Sequence, residues 1–365
     1  MEPYLPRSLP ITPINWEKHV TNIAKANRHI ARFDGILHTI PNPELLFAPI
    51  MTKEALLSSQ IEGTQATLED ILQYDADPNE KISNYLDIQE VDNYRQTLQY
   101  AVETLKKSPL TLNIIKEMHA ILLDGVRGSN KRRGEFRKTQ NWIGRYGASI
   151  KQASFIPPAP TGLNEHLSSF EKYFHFEDTE RLVQLAVIHA QFELLHPFLD
   201  GNGRIGRILI PLFLFEKKLI SHPSLYISGY LESHRNEYYE HLANLSSNNA
   251  WDDWINFFLQ ALLHQARSQT QLANKILNLY NEMSIIIAEC TRSYLVIKIL
   301  DFIFSRPVFK SSTFSQTNDI SKSTTSRLVK QLVDAGILQL SKDKMGRAGH
   351  VYRFNHLIEL LKATD

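Results

Sequence analysis

Apolar residues recur every three or four positions through most of this 365-residue chain, the spacing of one face of an α-helix. The pattern runs through NWEKHVTNIAKANRHIARFDGIL (15–37), EALLSSQIEGTQATLEDIL (54–72), 80–108, 110–125, 180–195 and the stretch that follows Arg204. From about Trp251 the chain continues in long helical runs, the last of which, near 266–291, resembles a linker helix. The chain is therefore predicted to be mainly α.

Prolines and glycines are expected to divide these helices. Pro41, Pro43 and Pro49 are predicted to interrupt the segment between the first and second helices, because proline lacks an N–H and clashes with the preceding turn. Gly63 is placed to form a helix C-terminal cap, so residues 54–72 are interpreted as helix, break, helix.

Residues 134–160, GEFRKTQNWIGRYGASIKQASFIPPAP, lose the helical period. They combine β-forming side chains with glycine turns and a proline-rich end. This segment is predicted to be a short β-hairpin or an irregular flap.

The last segment, 292–365, is predicted to be a separate winged helix-turn-helix domain. Its pattern is a helix, a short helix, a third helix opening at Ser321, and two strands joined by a glycine- and lysine-rich turn. Candidate DNA contacts are Ser323, Thr324, Thr325 and Arg327 on the third helix and Lys342, Lys344 and Arg347 in the turn. Because winged helices also bind proteins, both partner classes stay open at this stage.

Composition narrows the class of protein. Apolar content of 43% and charged content of 22% are ordinary for a soluble globular chain, and the net charge is +1. The surplus of positive charge is local: residues 290–365 hold 12 Lys and Arg against 6 Asp and Glu. A single cysteine favours a reducing compartment, and there is neither a signal-peptide core nor an apolar run of membrane length. A cytoplasmic protein without a membrane segment is expected.

The stretch HPFLDGNGRIGR, residues 196–207, has the backbone features of an anion site. His196 precedes Pro197 and is expected to be extended. Gly201 and Gly203 free the backbone to turn its N–H groups toward one point, and an apolar helix is expected from about Arg204. A loop that leads into a helix N-terminus favours phosphate-sized anions.

Side chains of the same stretch add chemistry. Arg204 and Arg207 are three residues apart and can point from one face of the first helical turn. Asp200 offers a hard oxygen ligand for Mg²⁺ beside nucleotide phosphates. A neutral His196 can accept a proton from an incoming hydroxyl. The sequence thus predicts a phosphate-transfer site.

All twelve positions of 196–207 resemble the signature of Fic domains. The resemblance implies a Fic-type helical bundle and an enzyme that transfers AMP from ATP, with Mg²⁺ or Mn²⁺, to Ser, Thr or Tyr hydroxyls of proteins, including itself. It implies that His196 is the catalytic base and Asp200 the metal ligand. It implies ATP contacts from Gly201, Asn202, Gly203, Arg204, Ile205, Gly206, Arg207, Tyr230 and Tyr238. Residues 134–160 are similar to the flap along which the protein substrate is aligned by strand addition.

Residues Ser58 to Gly63 (SSQIEG) resemble the inhibitory helix motif of Fic proteins. By this resemblance Glu62 pairs with Arg207 and keeps it from the ATP γ-phosphate. An Arg–carboxylate pair shielded from water is strong and geometrically specific, so the inhibition is physically reasonable. Ser58, Glu62 and Gly63 are therefore predicted to be inhibitory residues.

The resemblance and the pattern together suggest four domains: an N-terminal inhibitory region (1–110), the Fic core (111–265), the linker helix (266–291) and the winged helix (292–365). A homodimer through the long helices is an open expectation. Three other readings of function also stay open: removal of AMP from modified proteins, a DNA-binding regulator with a nucleotide-sensing Fic core, and transfer of UMP or phosphocholine.

Overall fold

A computed structural model describes residues 2–39, 43–78, 84–144, 149–341 and 350–363. The fold is mainly helical with one small sheet, as predicted. Its first eight α-helices are α1 Trp16–Leu37, α2 Pro43–Ile61, α3 Leu68–Ala76, α4 Tyr85–Leu105, α5 Leu112–Leu122, α6 Leu163–His175, α7 Arg181–Leu195 and α8 Asn202–Glu216. The remaining helices are α9 Ser228–Ser233, α10 Arg235–Asn248, α11 Trp251–Thr291, α12 Val296–Ser305, α13 Ser311–Asn318, α14 Lys322–Asp334 and α15 Asn355–Lys362. The strands are β1 Val308–Lys310, β2 Gln339–Leu340 and β3 Val351–Arg353.

The chain forms two compact units, each assembled from separate stretches. One unit comprises Met1–Asp34, Leu57–Thr64 and Gln89–Arg267. The other comprises Gly35–Leu56, Gln65–Ile88 and Ser268–Asp365. The linear domain boundaries expected at 110, 265 and 291 stay predictions, although the expected linker helix is the C-terminal part of the continuous helix α11.

In the first unit the central helices are α7 and α8, which pack on each other, while α7 also packs on α6 and α10. Thirteen of the fifteen residues of α7 and twelve of the fifteen residues of α8 are buried. A helix that is apolar on all sides needs neighbours on all sides, so both helices lie in the core. The segment between them, which begins at His196, is thereby fixed at both ends.

The second unit contains the sheet, with strand order β1-β3-β2 and antiparallel pairing throughout. Its apolar side packs on α3: Leu72 and Ala76 share a core cluster with Val308, Val351 and Ile358. Ion pairs from Arg353 and Lys362 to Glu69 support the same contact. The helix that follows the predicted inhibitory motif is therefore packed against the C-terminal sheet.

Several local expectations are confirmed and others are wrong. Gly63 follows α2 with φ of 98° and separates it from α3, as predicted. Pro49 does not interrupt the chain but lies within α2, because a helix can continue after losing a single N–H. Pro41 lies outside the described residues. Among the described residues of the flap, the only pairing of the expected hairpin is one antiparallel β-bridge, between Ile143 and Phe155.

The C-terminal elements follow the predicted helix order, and two elements were missed. Strand β1 and helix α15 had no sequence signal strong enough to separate them from their neighbours. Thr325 was expected to face a partner but is only 2% exposed, because α14 turns it toward the core with Leu328. Lys342, Lys344 and Arg347 lie outside the described residues.

Candidate active site

His196 ends helix α7 in the left-handed conformation, with φ of 45° and ψ of 59°. The expectation of an extended residue before Pro197 is therefore wrong. Its N–H still donates to the Phe192 carbonyl over 3.0 Å, so His196 acts as the cap of α7. A non-glycine residue in this region is rare and needs support from its surroundings.

Arg137 supplies that support. Its Nε donates to the His196 carbonyl over 2.9 Å, and its Nη2 donates to the carbonyls of Pro158 over 2.6 Å and Leu195 over 3.3 Å. Its backbone N–H donates to the Pro197 carbonyl over 2.8 Å. Arg137 is 2% exposed, and burial lowers its pKa to about 10, so the guanidinium stays charged at neutral pH. One buried side chain thus joins the end of α7 to the end of the flap.

The imidazole of His196 is prepared to accept a proton. Its Nδ1 lies 3.4 Å from the Glu193 carbonyl, so a proton on Nδ1 leaves Nε2 as the basic nitrogen. Burial lowers the pKa of His196 to about 4, which keeps the ring neutral at physiological pH. Neutrality is the state that a general base requires.

Behind the loop, His119 supports the backbone of the site. Its ring is buried, stacks on Phe198 at 3.7 Å, and holds the Asp200 carbonyl at 3.0 Å through Nε2. The backbone N–H of Gly134 donates to its Nδ1 over 2.9 Å. Burial lowers the pKa of His119 to about 4, so this support is also neutral.

Helix α8 begins at Asn202, two residues earlier than expected. Gly201 precedes it with φ of 74°, a conformation in which glycine carries no steric penalty. The Asn202 side chain closes the loop by bonding both the N–H and the carbonyl of Phe198, over 2.8 and 2.9 Å. Because the first N–H groups of a helix have no intrahelical acceptor, the start of α8 presents donors and a positive dipole end.

Arg207 is deeply buried in the site, with 1% of its side chain exposed. Its Nε donates to Ser58 Oγ over 2.8 Å. Its Nη2 donates to the Ser58 carbonyl over 2.8 Å and to Glu62 Oε1 over 2.7 Å. The pair expected from the sequence is therefore present, and Ser58 rather than the second Glu62 oxygen accepts from Nε.

Glu62 and Arg207 each stabilise the charged form of the other. Burial disfavours the charge on Glu62, but Arg207 outweighs burial and lowers the Glu62 pKa below its ordinary value. Burial likewise disfavours the charge on Arg207, and Glu62 outweighs it and raises the Arg207 pKa. A Cβ at position 203 would overlap Glu62 Oε1, so Gly203 gives the carboxylate room to reach Arg207.

Many of the side chains and backbone groups of the site line one cavity of about 840 Å³. From the predicted set it is lined by Glu62, His196, Asp200, Gly201, Asn202, Gly203, Arg207 and Tyr238. The flap adds Trp142, Ile143, Gly144, Ser154 and Phe155, and the remaining wall includes Glu193 and Tyr239. The predicted residues Ser58, Gly63, Arg204, Ile205, Gly206 and Tyr230 lie outside its lining.

Arg204 lies behind the loop and does not line the cavity. It is 3% exposed, with Nη1 3.6 Å from Glu90 and Nη2 3.9 Å from Asp200. Its Nε and Nη1 have no hydrogen-bond partner within the described ranges. In this conformation Arg204 supports the loop through charge.

The two predicted adenine-pocket tyrosines have different positions. Tyr238 lines the cavity, is 1% exposed, and bonds His189 through its hydroxyl at 3.0 Å. Tyr230 instead stacks on His234 at 4.0 Å away from the lining. The tyrosine next to Tyr238 in the cavity lining is Tyr239, which is 44% exposed. Tyr238 and Tyr239 together form an aromatic wall.

Glu193 is a functional candidate that the sequence analysis missed. Its Oε1 is buried without a hydrogen-bond partner among the described residues, and it packs where a side chain at Gly206 would otherwise be. Burial raises its pKa to about 7, against the lowering effect of Arg207. The available signal was that Glu193 is the one carboxylate of the apolar helix α7.

Asp200 fits the role of a metal ligand beside a nucleotide. Its carboxylate lines the cavity and holds the Gly201 N–H at 2.8 Å, with Lys131 Nζ at 3.3 Å. Among the described residues no cluster of three or more His, Cys, Asp or Glu side chains could form a protein-only metal site. Mg²⁺ is commonly held by one or two carboxylates together with substrate phosphates, and this donor set matches that mode.

The sequence matches two family models. The model described as Fic/DOC family N-terminal matches residues 20–103, and that described as Fic/DOC family matches residues 109–214. Together the two matches cover more than half of the chain. The chain belongs to the Fic/DOC family.

Individual relatives are more distant. The chain is 31% identical over 153 residues to a protein named protein adenylyltransferase Fic from Culex quinquefasciatus, covering 40% of this chain and 27% of that protein. It is 39% identical over 70 residues to a probable protein adenylyltransferase of Aquifex aeolicus, covering 19% of this chain and 22% of that protein. The chain thus spans about a quarter of the length of these curated relatives.

A solved structure extends the likeness to the whole fold. A Fic family protein from Desulfovibrio desulfuricans G20 superposes with a TM-score of 0.61 at 19% identity, covering 97% of this chain and 98% of that one. At this identity the match concerns the fold alone. Within the described ranges, every helix is too short or too polar to span a lipid bilayer.

Proposed function

We propose that this protein is an adenylyltransferase that moves AMP from ATP to a Ser, Thr or Tyr hydroxyl of a protein. The observation that carries the proposal is that His196, the amides at the start of α8 and Arg207 meet in one cavity with an aromatic wall. A triphosphate fits the helix N-terminus and the guanidinium, and an adenine ring fits beside Tyr238 and Tyr239. The adenylyltransferase relatives support the same reaction.

The proposed reaction is an in-line displacement at the α-phosphorus. The target hydroxyl gives its proton to His196 Nε2 while its oxygen bonds to the α-phosphorus. The bond from the α-phosphorus to the oxygen bridging to the β-phosphate breaks, and pyrophosphate leaves with that electron pair. Catalysis then depends on positioning and on charge neutralisation by α8 and Arg207.

Asp200 is the side chain that would hold Mg²⁺ or Mn²⁺, and the ion would supply neutralisation of phosphate charge. Arg204 supports Asp200 and the loop from behind, as its contacts indicate. Contact of Arg204, Ile205 and Gly206 with the phosphates stays a prediction, because these residues lie outside the lining of the cavity.

The flap is the proposed docking site for the protein substrate. Ile143 pairs with Phe155 across the flap, and both residues line the cavity. Trp142 and Ile143 are 42% and 41% exposed, so an extended peptide can reach them. Alignment by strand addition would bring a hydroxyl toward His196. Self-modification and a homodimer stay predictions.

Glu62 is proposed to keep the enzyme restrained. Its carboxylate occupies the Nη2 of Arg207, which would otherwise face the terminal phosphate. A bound ATP would then lack this guanidinium and would meet a carboxylate in its place. Glu62→Gly should therefore raise AMP transfer by about 10²-fold, the typical worth of one preorganised donor to a transition state.

The decisive experiment compares the wild type, Glu62→Gly and Glu62→Gly/His196→Ala with ATP labelled on the α-phosphate. We expect label on the protein itself and on lysate proteins for Glu62→Gly, and none for the double variant. Label on the γ-phosphate should not transfer. If Glu62→Gly binds ATP but stays unlabelled, AMP transfer is refuted, and labelled UTP and CDP-choline become the donors to test.

Removal of AMP is the second candidate, because Glu62 lines the same cavity as His196 and can orient a water molecule there. Protein labelled by the Glu62→Gly variant would be the substrate. Release of AMP by the wild type, but not by Glu62→Gln, would establish this activity. Retention of all label by the wild type would eliminate it.

For the C-terminal segment we propose the winged-helix arrangement with duplex DNA as partner. The order α12, β1, α13, α14, β2, β3 supports it, as do the exposed Lys322, Arg327 and Lys330 on α14. Binding to a mixed-sequence duplex should weaken steeply with salt and fall in Lys322→Ala/Arg327→Ala. Equal binding by wild type and variant would refute the DNA role, and with it the regulator reading.

A further inference from the structure

Glu90, on helix α4, is a buried carboxylate that the proposed reaction does not use. It is 1% exposed, and three side chains converge on it. Thr64 Oγ1 donates to its Oε2 over 2.6 Å. Arg127 donates to both its oxygens, from Nε over 2.7 Å and from Nη2 over 3.0 Å, and Arg204 lies 3.6 Å away.

Thr64 closes the turn that ends the inhibitory motif. Its N–H donates to the Ser59 carbonyl over 3.1 Å, and the Glu62 N–H donates to the same carbonyl over 3.0 Å. The Gly63 N–H donates to the Gln60 carbonyl over 2.9 Å. Since Glu62 and Thr64 share one acceptor in one tight turn, the position of Thr64 helps to set the position of Glu62.

Glu90, which accepts the hydrogen bond from Thr64, is itself held in place by Arg127. Arg127 binds Glu90 in the bidentate geometry that makes an Arg–carboxylate pair rigid. Burial disfavours the charge on Glu90, but the hydrogen bonds from Arg127 and the charge of Arg204 outweigh burial and lower its pKa. The hydroxyl of Thr64, itself 2% exposed, therefore bonds an ionised group that cannot easily move.

We propose that the Thr64–Glu90 hydrogen bond is a latch that keeps Glu62 on Arg207, which makes Thr64 and Glu90 positioning residues for inhibition. The inference rests on the proposed restraint of AMP transfer by Glu62. The latch tethers the inhibitory turn to a carboxylate that also stands behind the catalytic loop through Arg204. Loss of the Thr64–Glu90 bond releases the inhibitory turn, whereas Arg204 still lies beside Glu90.

Thr64→Val is the test, because it removes the hydroxyl and keeps the branched shape. Arg127 still occupies both Glu90 oxygens, so the carboxylate is not left bare. AMP transfer should rise by at least about 10-fold, the lower end of the factor for one lost hydrogen bond to a charged group, and by no more than in Glu62→Gly. Thr64→Ser is the matched control that retains the hydroxyl, and it should remain near the wild type.

A comparison in the Glu62→Gly variant distinguishes the proposed latch from a general effect on the structure. In Glu62→Gly the inhibitory carboxylate is absent, so adding Thr64→Val should change neither kcat nor KM for ATP. A change that merely damaged the fold would lower activity in both backgrounds. A rise caused by Thr64→Val in the absence of Glu62 would also contradict the latch.

Hydrogen exchange gives a readout that does not depend on activity. Peptides that contain the amides of residues 62–64 should exchange faster in Thr64→Val than in the wild type or Thr64→Ser. Unchanged exchange in Thr64→Val overturns the latch. Faster exchange together with an unlabelled Glu62→Gly would retain the latch as a structural contact and refute the proposed AMP transfer instead. Faster exchange with an active Glu62→Gly but no gain of activity in Thr64→Val would overturn the inhibitory role.

Discussion

Glu193 places a titratable carboxyl in the wall of the cavity at the point where phosphates are proposed to bind. Besides burial, the groups that act on it are Arg207 on α8, Glu62 in the turn that follows α2, and Tyr238 on α10. With a pKa of about 7, the side chain is half protonated at neutral pH. Below that pH it is uncharged, and above it the negative charge opposes a triphosphate.

Substituting Glu193 by Gln should therefore change ATP affinity in a pH-dependent way. With Glu62 in place, at pH 8, we expect Glu193→Gln to bind ATP about 3- to 10-fold more tightly, because one like charge is removed. At pH 6 the two proteins should bind equally, since Glu193 then carries its own proton. Calorimetric Kd values at both pH values test this, and titration of ATP itself cancels in the ratio. An identical ratio at pH 6 and pH 8 would contradict the assignment.

The candidate catalytic residues could be predicted because they lie close together in the sequence. His196, Asp200 and Arg207 lie within twelve positions whose spacing itself indicates a loop before a helix, and the structure brings all three to one cavity. Glu90 and Thr64 could not be predicted in the same way. They are 26 positions apart, and their roles come only from the neighbours that the fold gives them.

At the scale of elements, local sequence signals predicted where helices end more accurately than they predicted the backbone conformation of single residues. The end of α7 and the break after Gly63 were predicted, because the residues that end a helix are adjacent to it in the sequence. The conformation of His196 was not, because the preference set by Pro197 is weaker than the contacts that Arg137 makes across the fold. Long-range contacts override a local preference of this size.

Arg137→Lys tests how much the junction of α7, the loop and the flap contributes to catalysis. Lysine keeps the charge but cannot reach the His196, Leu195 and Pro158 carbonyls with a planar fork. We expect kcat of the Glu62→Gly enzyme to fall by about 10- to 100-fold, since a small misplacement of a base is costly. Kd for ATP should change little, because Arg207 does not depend on Arg137. Equal losses in kcat and in ATP binding would show that the junction supports the whole site rather than the base.

At the scale of the molecule, the sequence predicted consecutive domains, whereas compactness divides the chain into interleaved stretches. Residues 65–88 group with the C-terminal segment, as the contact of Glu69 with Arg353 and Lys362 illustrates. These partners lie almost the whole chain apart, and no periodicity encodes their pairing. Helix α11 was likewise divided in the prediction, because nothing in its pattern marks that it is continuous.

Buried histidines should make the first unit sensitive to acid. His189 is 1% exposed and bonds the Gly206 carbonyl and the Tyr238 hydroxyl, and burial lowers its pKa to about 3. In the unfolded chain its pKa is about 6.5. Between these values the unfolded state binds a proton that the folded state does not. The free energy of unfolding therefore falls as pH falls, and His119, with its pKa of about 4, acts in the same direction.

His189→Gln isolates one proton of this effect, because glutamine keeps a donor and an acceptor but does not titrate. Between pH 6 and pH 4.5 the free energy of unfolding of the wild type should fall more steeply than that of the variant, by about 1.4 kcal/mol per pH unit. Urea unfolding followed by tryptophan fluorescence measures this, since Trp254 packs against His189. Contributions from Glu193 and His119 are common to both proteins and cancel in the difference. Parallel slopes would mean that His189 binds its proton in the folded state, which its burial between Gly206 and Tyr238 opposes.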